Sequence, residues 1–209
     1  MKTSYLRAGD ATAIDEAAIW LRRGFPVAFP TDTVYGVGVL PFDEAAVERL
    51  YHVKERDLSK GIPILLADRA DLERVVESIS PFAQRLIEQF WPGPLTLIMP
   101  RVPGLPDLIA PNTNVAVRIP DHDVGRALIR AAGGAVATSS ANLSGQRPAT
   151  TGAATLAALD GRVAVVLDDG PSPGEQPSTI VDCTSDRPVV VRVGPLSAAD
   201  LGIGEEPAG

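Results

Sequence analysis

The sequence predicts an α/β fold built on one mixed sheet. Segments of helical and strand character alternate along almost the whole chain of 209 residues, the pattern of a sheet that carries helices on its faces. Residues 90–120 and 163–193 instead place strands in succession, with no helix long enough for a parallel crossover. Some neighbouring strands must therefore be antiparallel, and we expect a twisted sheet with both kinds of pairing.

Helices are predicted where apolar residues recur at helical spacing and end signals flank them. Gly24 and Gly133 follow two such runs, and Ser80 offers an N-cap before Pro81 at the first helical position. The predicted helices are Thr12–Arg23, Asp43–Val53, Asp71–Ile79, Pro81–Phe90, Val124–Ala132 and Gly152–Leu159.

Strands are predicted over short runs of aliphatic and β-branched residues. They are Val27–Phe29, Ile64–Ala67, Leu95–Met99, Val115–Ile119, Ala135–Thr138, Val163–Leu167, Thr179–Cys183 and Val189–Val193. The loop DDGPSPGEQPS at 168–178 is long enough to form a mobile flap.

Composition excludes several classes of protein. Hydrophobic residues make up 45% and charged residues 22%, as in a globular protein with a sizeable core. No apolar run reaches the roughly 18 residues of a membrane span, and the N-terminus lacks the apolar region of a signal peptide, so we expect a cytoplasmic protein. The single cysteine, Cys183, allows neither a disulfide framework nor a thiolate metal site, and we interpret it as a small buried hydrophobe.

The stretch VAFPTDTVYGVG at 27–38 is the most informative part of the chain. An apolar strand leads into a threonine-rich turn and two glycines, which would let the backbone approach a ligand at a strand end. An ordinary strand and turn is the alternative. Three further polar clusters favour a site, because most of them adjoin predicted strands: KERDLSK at 54–60, TSSANLSG at 138–145 and PSTIVD at 177–182.

Cations are unevenly distributed. Of 19 basic residues only three are lysines, and Lys54 and Lys60 flank Arg56 within seven residues. This segment is either an anion site or a solvated helix end. Arg118 and Arg192 each end a strand, where they are either surface charges or further members of an anion cradle. Neutral donors for such a cradle would be Ser140, Asn142, Ser178 and Thr179.

Sequence motifs of several common enzyme classes are missing from the chain. The chain contains no P-loop, no complete dinucleotide fingerprint and no G-x-S-x-G elbow, and two histidines exclude a His-rich metal site. A net charge of −7 argues against a protein that mainly coats phosphate backbones. The residues therefore suit an enzyme that binds a polyanion and stabilises phosphoryl charge by positioning.

Six motifs in order resemble the YrdC family of L-threonylcarbamoyladenylate synthases. They are PTDTVYGVG, the K-x-R of Lys54 and Arg56, PGPLT at 92–96, VAVRIP at 115–120, SSANLSG at 139–145 and PSTIVD at 177–182. The resemblance covers residues 10–195 and implies a single YrdC-like domain with a concave basic cavity, followed by a short tail at 196–209 and no additional C-terminal domain. It implies a reaction in which L-threonine, bicarbonate and ATP give threonylcarbamoyl-AMP and pyrophosphate, for threonylcarbamoyladenosine at position 37 of tRNA.

The resemblance also implies which residues act. The threonine site would comprise Thr31, Thr33, Arg118, Thr138 and Ser178. Lys54 and Arg56 would be the catalytic cations. The ATP site would comprise Lys54, Arg56, Lys60, Asn114, Ser140, Asn142, Pro148 and Arg192. Asp57 stands where many members have proline.

The motifs offer no carboxylate pair for a protein-held metal, so we expect Mg²⁺ to arrive on ATP. Downstream tRNA threonylcarbamoyl-transfer proteins would be partners, and weak RNA binding is compatible with a basic concave surface. One alternative is a double-stranded RNA-binding YrdC-like module without synthase activity, which the acidity and the 5% aromatic content disfavour. Another is the carbamoyl-transfer chemistry of hydrogenase-maturation enzymes, whose additional domains this chain does not show.

Overall fold

The computed structural model describes residues 2–110 and 112–204, which form one ten-stranded sheet with helices on both faces. The helices are α1 (Ala13–Arg22), α2 (Glu44–Lys54), α3 (Pro81–Phe90), α4 (Asp123–Ala132) and α5 (Gly152–Leu159). The strands are β1 (Ser4–Arg7), β2 (Val27–Phe29), β3 (Gly36–Val39), β4 (Ile64–Leu66), β5 (Leu95–Pro100), β6 (Asn114–Arg118), β7 (Ala135–Ser140), β8 (Val165–Asp168), β9 (Thr179–Asp182) and β10 (Val189–Arg192).

The sheet is mixed, as the sequence predicts. Its strand order is β1-β8-β2-β3-β7-β4-β6-β5-β9-β10. The pairs β1/β8, β8/β2, β4/β6 and β5/β9 are parallel, and the other neighbours are antiparallel. The two strand-rich stretches of the sequence thus supply the antiparallel pairs β5/β6 and β9/β10.

Alternate residues of the strands enter two cores, one on each face. The larger core packs α2, α3 and α5 against residues such as Val37, Ile64 and Leu97. The smaller core packs α1 and α4 against residues such as Phe29 and Val136. The smaller core extends from β8 as far as β4, where it includes Leu65. Beyond β4, residues of β6, β5 and β9 line a cavity instead.

The predicted helix Asp71–Ile79 is wrong. Only a 3₁₀ turn, Arg69–Arg74, forms there, with Asp68 and Asp71 closing a capping box. Val76 pairs with Arg101 as an isolated bridge, and the neighbouring backbone groups also bond to the end of β5. This long-range pairing outweighs the local helical pattern.

Two strands, β1 and β3, were not predicted. Strand β3 contains Gly36 and Gly38, which the sequence assigns to a turn that approaches a ligand. In the structure these glycines lie between β2 and β7, and a Cβ at Gly36 would be 2.6 Å from Thr138 Cγ2. At this position the missing side chain therefore makes room for a neighbouring strand's side chain.

Residues beyond the predicted domain boundaries also pack on the sheet. Leu201 is buried in the larger core, and the Thr179 hydroxyl donates to the Leu196 carbonyl at 2.8 Å. The last five residues of the predicted tail lie outside the described residues. Among the described helices, none combines the length and the apolar character needed to cross a bilayer.

Candidate active site

A cavity of about 410 Å³ lies on the sheet face beside α1 and α4. Thr96 and Ile98 of β5 and Ala116 of β6 line it, whereas their strand neighbours Leu97 and Val117 belong to the larger core behind the sheet. Strand alternation thus separates a buried apolar face from a face that presents polar groups. The described lining residues include three arginines and no aspartate or glutamate.

The threonine-rich turn forms one wall of the cavity. The Thr31 hydroxyl donates to the Val34 carbonyl at 2.7 Å and accepts from the Thr33 backbone N–H at 3.2 Å, so the side chain closes its own turn. The Thr33 hydroxyl lies 3.0 Å from that of Thr31. Both threonines are buried and line the cavity.

Arg118 reaches this wall from the end of β6. Its Nε donates to the Gly93 carbonyl at 2.9 Å and its Nη1 to the Thr33 hydroxyl at 2.9 Å. Its Nη2 donates to the carboxylate of Asp32. Burial lowers the pKa of Arg118, and the Asp32 carboxylate opposes that shift. Arg118 is therefore a buried, held guanidinium and not a surface charge.

The cavity is also lined by Ser178, directly before β9, and by Arg192 at the end of β10. The Ser178 hydroxyl lies 2.7 Å from that of Thr96, and the Arg192 guanidinium donates to the Ser178 carbonyl at 2.8 Å and 3.0 Å. A bulge in β10 places both Val191 and Arg192 at the cavity, since Arg192 and not Val191 is the register partner of Ile180. Burial, then the charge of Arg56, lowers the pKa of Arg192.

The basic segment after α2 divides between the cavity and the protein interior. Arg56 lines the cavity, with its Nη2 donating to the Gly61 carbonyl at 2.9 Å. Lys54 is buried at 2% exposure, and its ammonium donates to the carbonyls of Ser140 and Asn142 and to Asn142 Oδ1. Burial lowers the pKa of Lys54 to about 8, with a further contribution from Arg56. Lys60 is exposed and is not among the lining residues.

The remaining predicted residues are also divided. Thr138, Asn114 and Ser140 line the cavity. Asn142 and Pro148 do not, and the Asn142 amide donates to the Leu143 and Gln146 carbonyls, which shapes the loop after β7.

Sequence reasoning missed four polar lining residues, Ser59, Thr96, Asn112 and Ser139. Thr96 carried a usable signal: in LTLI it alternates with Leu95 and Leu97, so it must point away from the core that those leucines enter. The sequence reasoning also did not identify Asp32, which pairs with Arg118 but does not itself line the cavity.

The loop at 168–178 is folded onto the threonine-rich turn. The Tyr35 hydroxyl donates to the Gly170 carbonyl at 2.7 Å and lies 3.0 Å from Asp168 Oδ1. A Cβ at Gly174 would be 2.7 Å from the Asp32 carbonyl oxygen, so the two backbones are in close contact.

Comparison with known proteins identifies the family. The family model described as "Telomere recombination", for Sua5, YciO and YrdC, matches residues 20–194. The chain belongs to the Sua5/YciO/YrdC family. This membership confirms the resemblance that the six motifs indicate.

Individual members of the family resemble most of the chain. It is 39% identical over 190 residues to the threonylcarbamoyl-AMP synthase of Bacillus subtilis, covering 90% of this chain and 55% of that protein. It is 40% identical over 178 residues to a putative threonylcarbamoyl-AMP synthase of Mycobacterium tuberculosis, covering 85% and 82%. The structure of Pyrococcus abyssi Sua5 complexed with L-threonine matches with a TM-score of 0.86 and 34% identity, covering 92% of this chain and 57% of that one. The chain thus spans slightly more than half the length of two of these three proteins.

Proposed function

We propose that the protein is an L-threonylcarbamoyladenylate synthase. It would form threonylcarbamoyl-AMP and pyrophosphate from L-threonine, bicarbonate and ATP, a nucleotidyl transfer in the cytoplasm. The names of the relatives and the threonine complex of a 34% identical structure support this assignment.

One observation carries the proposal: a single cavity joins a buried arginine and hydroxyls on one wall to further arginines on another. Arg118 with Thr31 and Thr33 would receive the amino acid, while Arg56 and Arg192 would receive the phosphates. In the reaction the threonine amine and bicarbonate would first form a carbamate with loss of water, and a carbamate oxygen would then attack the α-phosphorus as pyrophosphate leaves. Because ATP, bicarbonate and the threonine-derived carbamate are anionic, fixed guanidinium groups lower the cost of bringing them together.

The site suits Mg²⁺ as part of the nucleotide better than as an ion held by the protein. It prefers oxygen ligands and usually binds through one or two carboxylates together with substrate phosphates. The described residues that line the cavity offer amide and hydroxyl oxygens but no carboxylate, and the nearby Asp32 is paired with Arg118. We propose that Mg²⁺ arrives on ATP, where it would neutralise phosphate charge.

The product would pass to tRNA threonylcarbamoyl-transfer proteins that modify adenosine 37. Those proteins are the partners we propose. Direct contact with RNA would be weak, because the net charge of −7 disfavours phosphate backbones outside a local basic surface.

The assay measures pyrophosphate release with each substrate omitted in turn, together with the mass of the product. We expect release only when L-threonine, bicarbonate and ATP are all present, with threonine, carbamoyl and AMP in one product. Equal ATP turnover without threonine would contradict the proposal. Salt-dependent binding of double-stranded RNA by a protein that forms no product would favour the RNA-binding alternative.

A further inference from the structure

Asp32 lies between the two threonines of the cavity wall and pairs with Arg118. Its carboxylate is 11% exposed and the Arg118 side chain 6% exposed. Thr31, Thr33 and Arg118 line the cavity, but Asp32 does not. The carboxylate therefore contacts the arginine from outside the space that a ligand would occupy.

The protein holds the Arg118 guanidinium from three directions. The carbonyl of Gly93, the hydroxyl of Thr33 and the carboxylate of Asp32 accept from Nε, Nη1 and Nη2 respectively. An arginine has five N–H donors in a rigid plane, so the three contacts fix the orientation of the plane and leave two donors without a partner among the described residues. Of the three acceptors, only Asp32 carries a charge.

The turn that carries Asp32 packs against another segment of the chain. A Cβ at Gly174 would lie 2.7 Å from the Asp32 carbonyl oxygen and 2.8 Å from that of Thr33. The 168–178 loop thus packs backbone against backbone on this turn. A shift of the Asp32 backbone towards Gly174 would therefore displace the loop.

We propose that Asp32 is a positioning residue, which fixes the guanidinium plane of Arg118 so that its free donors meet the carboxylate of an α-amino acid. The inference rests on the proposed function, since it assumes that Arg118 receives threonine. The negative charge of Asp32 offsets the cost of burying the guanidinium of Arg118. The fixed guanidinium would then favour a ligand whose carboxylate lies in the same plane as the guanidinium. Asp32 does not touch the substrate in this arrangement.

The test compares L-threonine with L-threoninol, which lacks the carboxylate, by calorimetry in the presence of a non-hydrolysable ATP analogue. Asp32→Ala should raise the Kd of threonine by about tenfold, the loss of one charged hydrogen bond, and leave that of threoninol within about twofold. Asp32→Asn, which keeps an acceptor of the same size, should give a smaller rise and covers the case in which the alanine variant does not fold. Turnover at saturating threonine should change less than KM for threonine, and KM for ATP should not change.

Asp107→Asn is the matched control, because Asp107 pairs with Arg101 outside the cavity and should leave both Kd values unchanged. The inference is overturned if Asp32→Ala binds threonine as tightly as the parent does, or if Asp32→Asn binds it more tightly than the parent. It is also overturned if Asp32→Ala raises the Kd values of threonine and threoninol by the same factor. A parent protein that binds threonine but forms no adenylate would instead contradict the proposed synthase activity alone.

Discussion

Lys54 shows how burial changes the role of one side chain. Its ammonium is enclosed and bonded to three oxygens of Ser140 and Asn142, none of them ionised. The contacts hold the loop after β7 to the end of α2, so Lys54 positions Ser140 whether or not it also meets a phosphate. It remains the catalytic cation of our prediction, and its buried charge is one that a phosphate group would stabilise.

The lowered pKa of Lys54 predicts a stability effect with a definite sign. Between pH 8 and the ordinary value of 10.5 the unfolded chain binds the proton more tightly than the folded one, so stability rises with pH through this window. The free energy of unfolding of the parent, minus that of Lys54→Met at the same pH, should rise by on the order of 3 kcal/mol across this window. Urea denaturation at several pH values measures the difference, with the exposed Lys60→Met as control; a flat difference would contradict it.

Arg118 and Arg192 look alike in sequence but line the cavity from different strands, β6 and β10. Arg118→Ala should raise the Kd of threonine by about one to two decades, because a charged hydrogen bond contributes roughly 1.5 to 3 kcal/mol. The Kd of ATP should change little. Arg192→Ala should raise the Kd of ATP more than that of threonine. Calorimetric titration of each variant tests this, with Arg101→Ala as a control outside the cavity. If both variants lost the two ligands equally, the assignment of the walls would be wrong.

At the scale of elements, β3 depends on residues without side chains. A Cβ at Gly38 would lie 2.5 Å from Val136 Cγ1 and 2.8 Å from the Ala137 carbonyl oxygen, so β3 and β7 would have to separate. Gly38→Ala should therefore lower the free energy of unfolding by about 1 to 3 kcal/mol, the cost of overpacking. Chemical denaturation measures it.

Gly9→Ala is the control for that change, because a Cβ at Gly9 would have no atom within 4 Å. Equal stability of the two variants would show that β3 can shift at little cost. The comparison also tests why a threonine-rich turn is followed by glycines: they allow Thr138 and its strand to approach the cavity wall.

At the scale of the whole molecule, the absence of carboxylates among the described lining residues predicts how Mg²⁺ acts. Chelation with EDTA should abolish adenylate formation, because the nucleotide loses its metal. It should leave the melting temperature of the ligand-free protein unchanged within about 1 °C, since binding stabilises a protein only when the folded state binds the ligand. Thermal unfolding with and without Mg²⁺ measures this; a clear upward shift with Mg²⁺ alone would indicate a protein-held site.

Sequence by itself determined the α/β class, the mixed sheet and five helices, because their apolar periodicity and end signals are local. It also located the polar clusters of the site, since residues such as Arg118 and Ser178 directly end or precede apolar strands. Strand alternation, which is equally local, would have added Thr96.

Only the tertiary structure decided which groups meet. The direction of Lys54, the pairing of Asp32 with Arg118 and the bulge that turns Arg192 to the cavity each depend on contacts between segments far apart in the chain. The same is true of the 71–79 segment, where pairing with the end of β5 replaces a helix. A side chain's neighbours across a sheet depend on register and packing, and these follow from the whole core, whereas periodicity along one segment reports only which of its faces is apolar.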